Sequence, residues 1–266
     1  MKILCVIVLY KLKLEESIAY SSFVAAALRR KEFGLLVYDN SPIASPPKST
    51  EIAYVSDPSN PGISKAYNYG AIYAEQHGYD WLFFTDQDTY YPTDNYISLC
   101  HEALINDDSL SLFVPLVDTV KGIFSPLKTW HHMPGKFSYI IGNKNPLQNC
   151  AIINSGMVVR LSAFEKAGGY NEKVPLDYSD YQFIDRLQHV IDDFYLVNYH
   201  IKQSFSDEVD DEPSLLRRFK SIIISVRNFE GSFITRSDMK IILLKRCLSL
   251  TIRYKSHIYL KTLLFG

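Results

Sequence analysis

Two aspartates flank a glutamine at Asp86-Gln87-Asp88, directly after the apolar run Trp81-Leu82-Phe83-Phe84-Thr85. Carboxylates at that spacing can hold a hard divalent cation, and the cation can neutralise a diphosphate and stabilise it as a leaving group. The same residues also suit an ordinary solvated turn. The chain holds eighteen Asp, and a chain of that composition is expected to contain about one D-x-D by chance. Position raises the value of this one, because it closes a strongly apolar segment. Asp39 has a similar place, closing Gly34-Leu35-Leu36-Val37-Tyr38 ahead of Asn40-Ser41-Pro42.

Local patterns indicate what must position these residues. The continuous apolar run at 3–10 suits a strand buried on both faces of a parallel sheet. Residues 14–30 take a helical period, 34–38 read as a second strand and 52–55 as a short third. Asn60-Pro61-Gly62 precedes a helical run from Ile63 to His77, and 80–85 form a fourth strand. This order opens a doubly wound α/β fold, whose ligands lie beyond the carboxyl ends of the strands. Asp39 and the Asp86/Asp88 pair both stand at such ends and are expected to converge.

Farther on, 92–107 read as a helix and 111–117 as a strand. Residues 118–150 read as a long excursion, 161–167 as a short helix closed by Gly168-Gly169, 177–187 as a helix, and 194–199 as a late strand ending at His200. His131-His132 lies in the excursion without partners for a zinc site. Beyond Pro213 the pattern is helical, with Leu215, Leu216, Phe219, Ile222, Ile223 and Val226 on one face. The expected division is a catalytic domain at 1–212 and a helical extension at 213–266.

The net charge of −1 hides an asymmetry. From Pro213 on there are eleven Lys/Arg and two Asp/Glu, a net of +9, so the first 212 residues carry −10. A basic extension on an acidic body points to an anionic partner, a membrane surface or phosphorylated lipid ahead of nucleic acid. Scattered Lys/Arg also form plain solvated helix faces. Cys5, Cys100, Cys150 and Cys247 have neither C-x-x-C spacing nor a disulfide framework, the pattern of a reducing compartment. The opening apolar stretch is too short for a signal peptide and lacks a cleavage site, and no stretch is long enough to span a bilayer. The expected location is the cytoplasm, at most on the inner face of the membrane.

Several blocks, in order over residues 3–230, resemble the family 2 glycosyltransferases of GT-A fold. Val6-Ile7-Val8-Leu9-Tyr10 is similar to that family's first strand, which lines the nucleobase pocket. Val37-Tyr38-Asp39-Asn40-Ser41 resembles the block whose Asp contacts the base. Asn60-Pro61-Gly62-Ile63-Ser64-Lys65-Ala66-Tyr67-Asn68-Tyr69-Gly70 looks like its N-x-G…A-x-N-x-G block. Phe83-Phe84-Thr85-Asp86-Gln87-Asp88-Thr89 matches the D-x-D block, in a form similar to bacterial rhamnosyltransferases of surface polysaccharide assembly. Ile153-Asn154-Ser155-Gly156, Gly168-Gly169-Tyr170-Asn171 and Arg227-Asn228 are similar to that subgroup too.

The resemblance implies a mixed α/β sheet with flanking helices and a C-terminal helical appendage. It implies a donor site from Leu9, Tyr10, Asp39, Asn60, Gly62, Lys65, Asn68, Asp86, Gln87, Ser155 and Gly156. It makes Asp177-Tyr178-Ser179-Asp180 the catalytic block, with Asp180 as the base that takes the acceptor hydroxyl proton. Gln182 stands where the subgroup usually has Glu. Read without the resemblance, Asp180 is a carboxylate favoured by a helix macrodipole. Asp88 and His200 would hold Mg2+ or Mn2+.

The implied reaction is inverting transfer of rhamnose from dTDP-rhamnose to a lipid-linked or growing surface glycan, with a UDP-hexose or UDP-galactofuranose donor as runner-up. Two readings from other classes remain. A sugar-phosphate nucleotidyltransferase would need a Gly-rich loop after the first strand, and residues 11–17 contain no Gly. A non-catalytic glycan-binding protein on a degenerate scaffold would have lost its carboxylates, whereas Asp86, Asp88 and Asp180 are present.

Overall fold

The computed structural model describes residues 1–120, 122–131, 133–203 and 212–265. The first half builds the expected parallel strands. β1 (Ile3–Leu9) is buried throughout and lies between β2 (Phe33–Asp39) and β4 (Trp81–Asp86), with β3 (Ala53–Ser56) outside β2. The segment between β1 and β2 is less regular than its period predicts. A 3₁₀ turn at Leu14–Glu16 is followed by π-helical Tyr20–Val24 and α1 (Ala25–Ala27). α2 (Ile63–Gln76) joins β3 to β4.

Beyond β4 come β5 (Thr89–Tyr90), α3 (Tyr96–Asn106), β6 (Leu112–Thr119) and β7 (Gly122–Ser125). The 118–150 excursion, read as a loop, contains further short strands: β8 (Leu127–Trp130), β9 (Met133–Pro134), β10 (Asn143–Pro146) and β11 (Cys150–Ala151). Short, polar, half-exposed strands carry little alternation, so their sequence has no strand signature. β12 (Val158–Arg160), α4 (Leu161–Lys166), α5 (Ser179–Leu187) and β13 (Asp193–Gln203) complete the body.

Among the described residues, the main sheet runs β10-β13-β6-β12-β4-β1-β2-β3, with β5 on β13 and β7 on β6. β12 is antiparallel to both its neighbours, and β13 is parallel to β6. β8, β9 and β11 form a small second sheet. The pleat divides the core between the two faces of the main sheet. Leu82 and Phe84 pack with Tyr67, Phe164, Tyr170 and Phe183. Trp81 and Phe83 pack with Phe23, Tyr91 and Tyr96.

α6 (Glu212–Asn228), α7 (Phe233–Tyr254) and α8 (Ile258–Phe265) follow. They share a core of Phe219, Ile223, Val226, Met239, Leu243, Cys247 and Tyr259, and Tyr178 and Tyr181 pack against it. The extension therefore buttresses the stretch that carries Asp177 and Asp180. No described helix is long and apolar enough to cross a membrane. The four cysteines are free and buried.

Candidate active site

Strand register brings the acidic residues to one edge. Leu9 pairs with Asp39 on one side of β1, and Val8 pairs with Asp86 on the other. Asp39 and Asp86 thus sit two strand spacings apart, roughly 10 Å, at the carboxyl ends of parallel strands.

Asp39 is fully buried and held from several directions. Its Oδ1 accepts from the Ser41 N–H at 2.9 Å, and its Oδ2 from the Ser45 N–H at 3.2 Å and the Tyr54 hydroxyl at 2.7 Å. Burial opposes its ionisation, but the hydrogen bonds from Ser41, Tyr54 and Ser45 together hold its carboxyl below the usual range. Beside it, Leu9 is buried and Tyr10 is exposed at the strand end. Asn40 is buried, with an Oδ1 that has no partner among the described residues.

Asp86 is equally fixed. Ser155 donates to its Oδ2 at 2.6 Å, Gln203 Nε2 to the same oxygen at 2.8 Å, and Tyr67 to Oδ1 at 3.4 Å. Gly156 sets Ser155: its φ of 82° is left-handed, its N–H donates to the Phe84 carbonyl at 2.9 Å, and an added Cβ would lie 2.5 Å from Pro115. Asp88 contrasts with Asp86. Among the described residues only its own backbone N–H donates to it, and burial followed by the charge of Asp86 pushes its carboxyl up to about 6.

Asp180 lies in the first turn of α5. Tyr178, just before the helix, adopts a left-handed backbone with φ 67° and ψ 6°. That conformation costs a non-glycine residue roughly 1–2 kcal/mol, and it redirects the chain so that α5 starts at Ser179. Asp180 Oδ1 accepts from the Tyr181 N–H at 2.8 Å. Burial is the main force pushing Asp180 up to about 7, with the charges of Asp86 and Asp177 adding to it. A carboxylate placed only to meet a macrodipole would move the other way. Asp177 is tied to the C-terminal helices, where Arg218 donates to its Oδ1 at 3.1 Å.

Other expected donor-site residues have structural duties. Gln87 clasps the end of β1, accepting from the Tyr10 N–H at 2.9 Å, while its own carbonyl accepts from Ser17, Ile18 and Ala19. Lys65 pairs with Asp57 at 3.0 Å. Asn68 binds both the N–H and the carbonyl of Tyr170, and Glu172. Asn60 and Gly62 turn the chain with φ of 51° and 94°. An added Cβ at Gly62 would lie 2.2 Å from the Pro175 carbonyl oxygen, so this glycine lets the loop close onto the segment leading to Asp177.

His200 meets a carboxylate of the neighbouring strand. Its Nδ1 lies 2.7 Å from Asp118 Oδ2 on β6. β13 continues three residues past the predicted end, and Gln203, an odd number of residues on and so on the other face, is the one that reaches Asp86. The sequence reading missed Gln203 because the apolar period fades after Ile201. It also missed Tyr67, a core aromatic with a hydroxyl at Asp86. The His131 ring pairs with Asp238 at 3.2 Å, and His132 lies outside the described residues. No described cluster of three or more His, Cys, Asp or Glu could enclose a metal by itself. Asp88 still fits a hard cation, being a half-buried carboxylate poor in donors beside a second one.

No protein-family model matches the sequence, and no curated protein matches it. Solved structures do match. Residues 1–349 of S. aureus TarS align with a TM-score of 0.53 at 14% identity, over 94% of this chain and 73% of that one. The same fragment in complex with UDP-GlcNAc aligns with a TM-score of 0.50 at 12% identity, over 94% and 73%. GalNAc-T7, solved with UDP, GalNAc and Mn2+, aligns with a TM-score of 0.58 at 11% identity, over 83% of this chain and 47% of that one. The fold is therefore the GT-A-type mixed α/β fold expected from the sequence.

Proposed function

We propose that the chain is an inverting, metal-dependent glycosyltransferase that moves a sugar from a nucleotide diphosphate to a glycan hydroxyl. One arrangement carries the reading: Asp180, a carboxyl that burial pushes up to about 7, shares a site with the fixed Asp86 and the donor-poor Asp88. A base that titrates near neutrality can take a hydroxyl proton and release it again. Asp39 and the Leu9–Tyr10 strand end face the nucleobase, and Asp86, locked by Ser155, Gln203 and Tyr67, faces the ribose or sugar. Asp88, with diphosphate oxygens, would hold Mg2+ or Mn2+, which when bound supplies charge neutralisation of the leaving diphosphate. His200 alternates to the other face of β13 from Gln203 and is left out of this site.

The acceptor oxygen approaches Asp180, which receives its proton as the new glycosidic bond forms on the face opposite the departing diphosphate. Asp177 and Arg218 hold the segment before α5 in place. The proposed donor is dTDP-rhamnose, from the resemblance of the blocks around Asp86 and Ser155, with a UDP-hexose as the alternative. The proposed acceptor is a lipid-linked or growing surface glycan. Exposed Ile241, Leu248 and Ile252 on α7, with Lys240, Lys245 and Arg253 among them, support contact with an anionic membrane surface.

Calorimetry with dTDP-rhamnose, UDP-GlcNAc, UDP-galactose and UDP-galactofuranose, with and without Mn2+, tests this reading. One donor should bind in a metal-dependent way, and Asp88→Ala should abolish the metal dependence. Equal affinity with and without Mn2+ would remove the metal from the scheme, and absence of binding by the whole panel would remove the transferase reading.

A further inference from the structure

A cleft of about 320 Å³ opens beside the catalytic segment, between α5, the small sheet and the start of α7. It lies at the lower end of the size range of small-ligand sites, on the scale of a mono- or disaccharide. One wall is a stripe of α5: Tyr181, Ile184, Asp185 and Gln188. These residues recur at three- and four-residue intervals and therefore share a face. Tyr181 directly follows Asp180 and donates its N–H to that carboxylate. The stripe thus starts at the proposed base and leads away from it.

The opposite wall carries Trp130 from the small sheet and Asn149 from the turn before β11, and Asp238 from α7 closes the third side. Trp130 is 71% exposed, although a large ring in water forfeits the gain of burial. It is held edge-on to His131, with ring centroids 4.4 Å apart. Planar hydrogen-bonding groups surround it: the amides of Asn149 and Gln188, and the carboxylates of Asp185 and Asp238. Gln188 donates to Asp185 at 2.7 Å, which fixes both side chains.

We infer that this cleft binds an uncharged sugar ring of the acceptor glycan, the ring next to the one presented to Asp180. The inference rests on the glycosyltransferase reading for its word acceptor, while the chemistry of the cleft stands on its own walls. A sugar offers an apolar C–H face that covers an aromatic ring, and a rim of hydroxyls that donate to carboxylates and exchange hydrogen bonds with amides. No described Lys or Arg lines the cleft, and two carboxylates do. A phosphate or uronate would meet like charge there, and the one basic ring in the lining, His131, is already paired with Asp238 at 3.2 Å. The cleft therefore discriminates against the anionic donor as well as selecting a neutral acceptor.

The second tryptophan gives the experiment its control, because Trp81 is 2% exposed and Trp130 is the accessible one. The full chain is titrated with neutral tri- and tetrasaccharides, their alkyl glycosides and matched uronate-containing oligosaccharides. Tryptophan emission and saturation-transfer NMR are followed, and UDP and dTDP-rhamnose binding is measured in parallel. Neutral saccharides, free or alkylated, should shift the emission to the blue, and uronates should bind about tenfold or more weakly. Trp130→Ala and Asp185→Asn should each weaken saccharide binding about tenfold and leave nucleotide binding unchanged. Trp130→Phe, read by NMR, should restore most of it.

Equal binding of neutral saccharides to the wild type and to folded Trp130→Ala would overturn the inference. Binding of alkyl glycosides alone would overturn it too, because the cleft would then be reading the chain and not the sugar. If nucleotide sugars bind and no saccharide perturbs Trp130, the cleft assignment falls alone. If neutral saccharides bind at Trp130 and no nucleotide sugar binds, the cleft stands as a glycan site and the transferase reading falls.

Discussion

Asp39 and Asp180 lie in two regions of the candidate site, and their surroundings push them in opposite directions. Asp39 ends a parallel strand, and backbone N–H groups and hydroxyls from the following loop and β3 converge on it. Asp180 begins a helix, is half-buried near other carboxylates and receives one N–H from its neighbour. The first is held ionised, below the usual carboxylate range, and the second is pushed up to about 7. A residue that must offer a permanent acceptor to a ligand is well served by many donors. A residue that must take up a proton is served by few donors and little water.

The largest test of that contrast is Asp180→Asn. Transfer should fall by about 10²–10⁴-fold, while nucleotide binding measured by calorimetry persists. The wild-type rate should rise with pH through about 7 as Asp180 ionises. The same variant should gain stability at pH 8. A carboxyl raised in the folded state binds more protons folded than unfolded, so its ionisation destabilises the protein as pH climbs from about 4 to about 7. The gain should be full above about 7 and vanish near pH 4 in urea unfolding. Undiminished turnover would remove Asp180 as the base, and a loss of stability at pH 8 would remove the burial account of its shift.

Asp39→Asn should do the reverse. Its amide nitrogen would face either the Ser41 N–H or the Ser45 and Tyr54 donors, leaving buried groups unpaired at a cost of about 1–3 kcal/mol at pH 7. The folded-state pKa of Asp39 is lowered. The stability it supplies is therefore present above the unfolded value near 3.9 and is lost as pH falls through the folded one. The gap between wild type and variant in urea unfolding should be widest at neutral pH and narrow in acid. A gap that widens in acid would contradict the hydrogen-bond account.

The two regions also differed in how readable they were. β1, β2 and β4 are buried on both faces, so their sequence is continuous Val, Ile, Leu and Phe, and the aspartates that close β2 and β4 mark the edge of the sheet. Asp39 and Asp86 could therefore be brought together from sequence alone. The half around Asp180 is built from elements with weaker local signals. The strands at 122–151 are two to four residues long, and β13 continues to Gln203 because β5 pairs with it, a non-local cause. His200 was expected at the metal, and its place in the sheet sets its Nδ1 against Asp118 of β6. The cleft at Trp130 was equally hidden, since its walls come from three segments distant in sequence.

The smallest effect concerns how the C-terminal helices tune the proposed catalytic block. Arg218 on α6 donates to Asp177, whose charge is one of those that raise Asp180. Arg218→Met removes a cation from this chain of carboxylates and leaves Asp177 less compensated. The field at Asp180 becomes more negative, so its proton should be held more tightly. The acidic limb of the rate profile should then move to higher pH by less than about one unit, with the rate on the alkaline plateau retained. A merely structural role for Arg218 would lower that plateau and leave the midpoint alone. A midpoint moved to lower pH would contradict the charge account and separate the helical extension from the chemistry proposed for the segment it packs against.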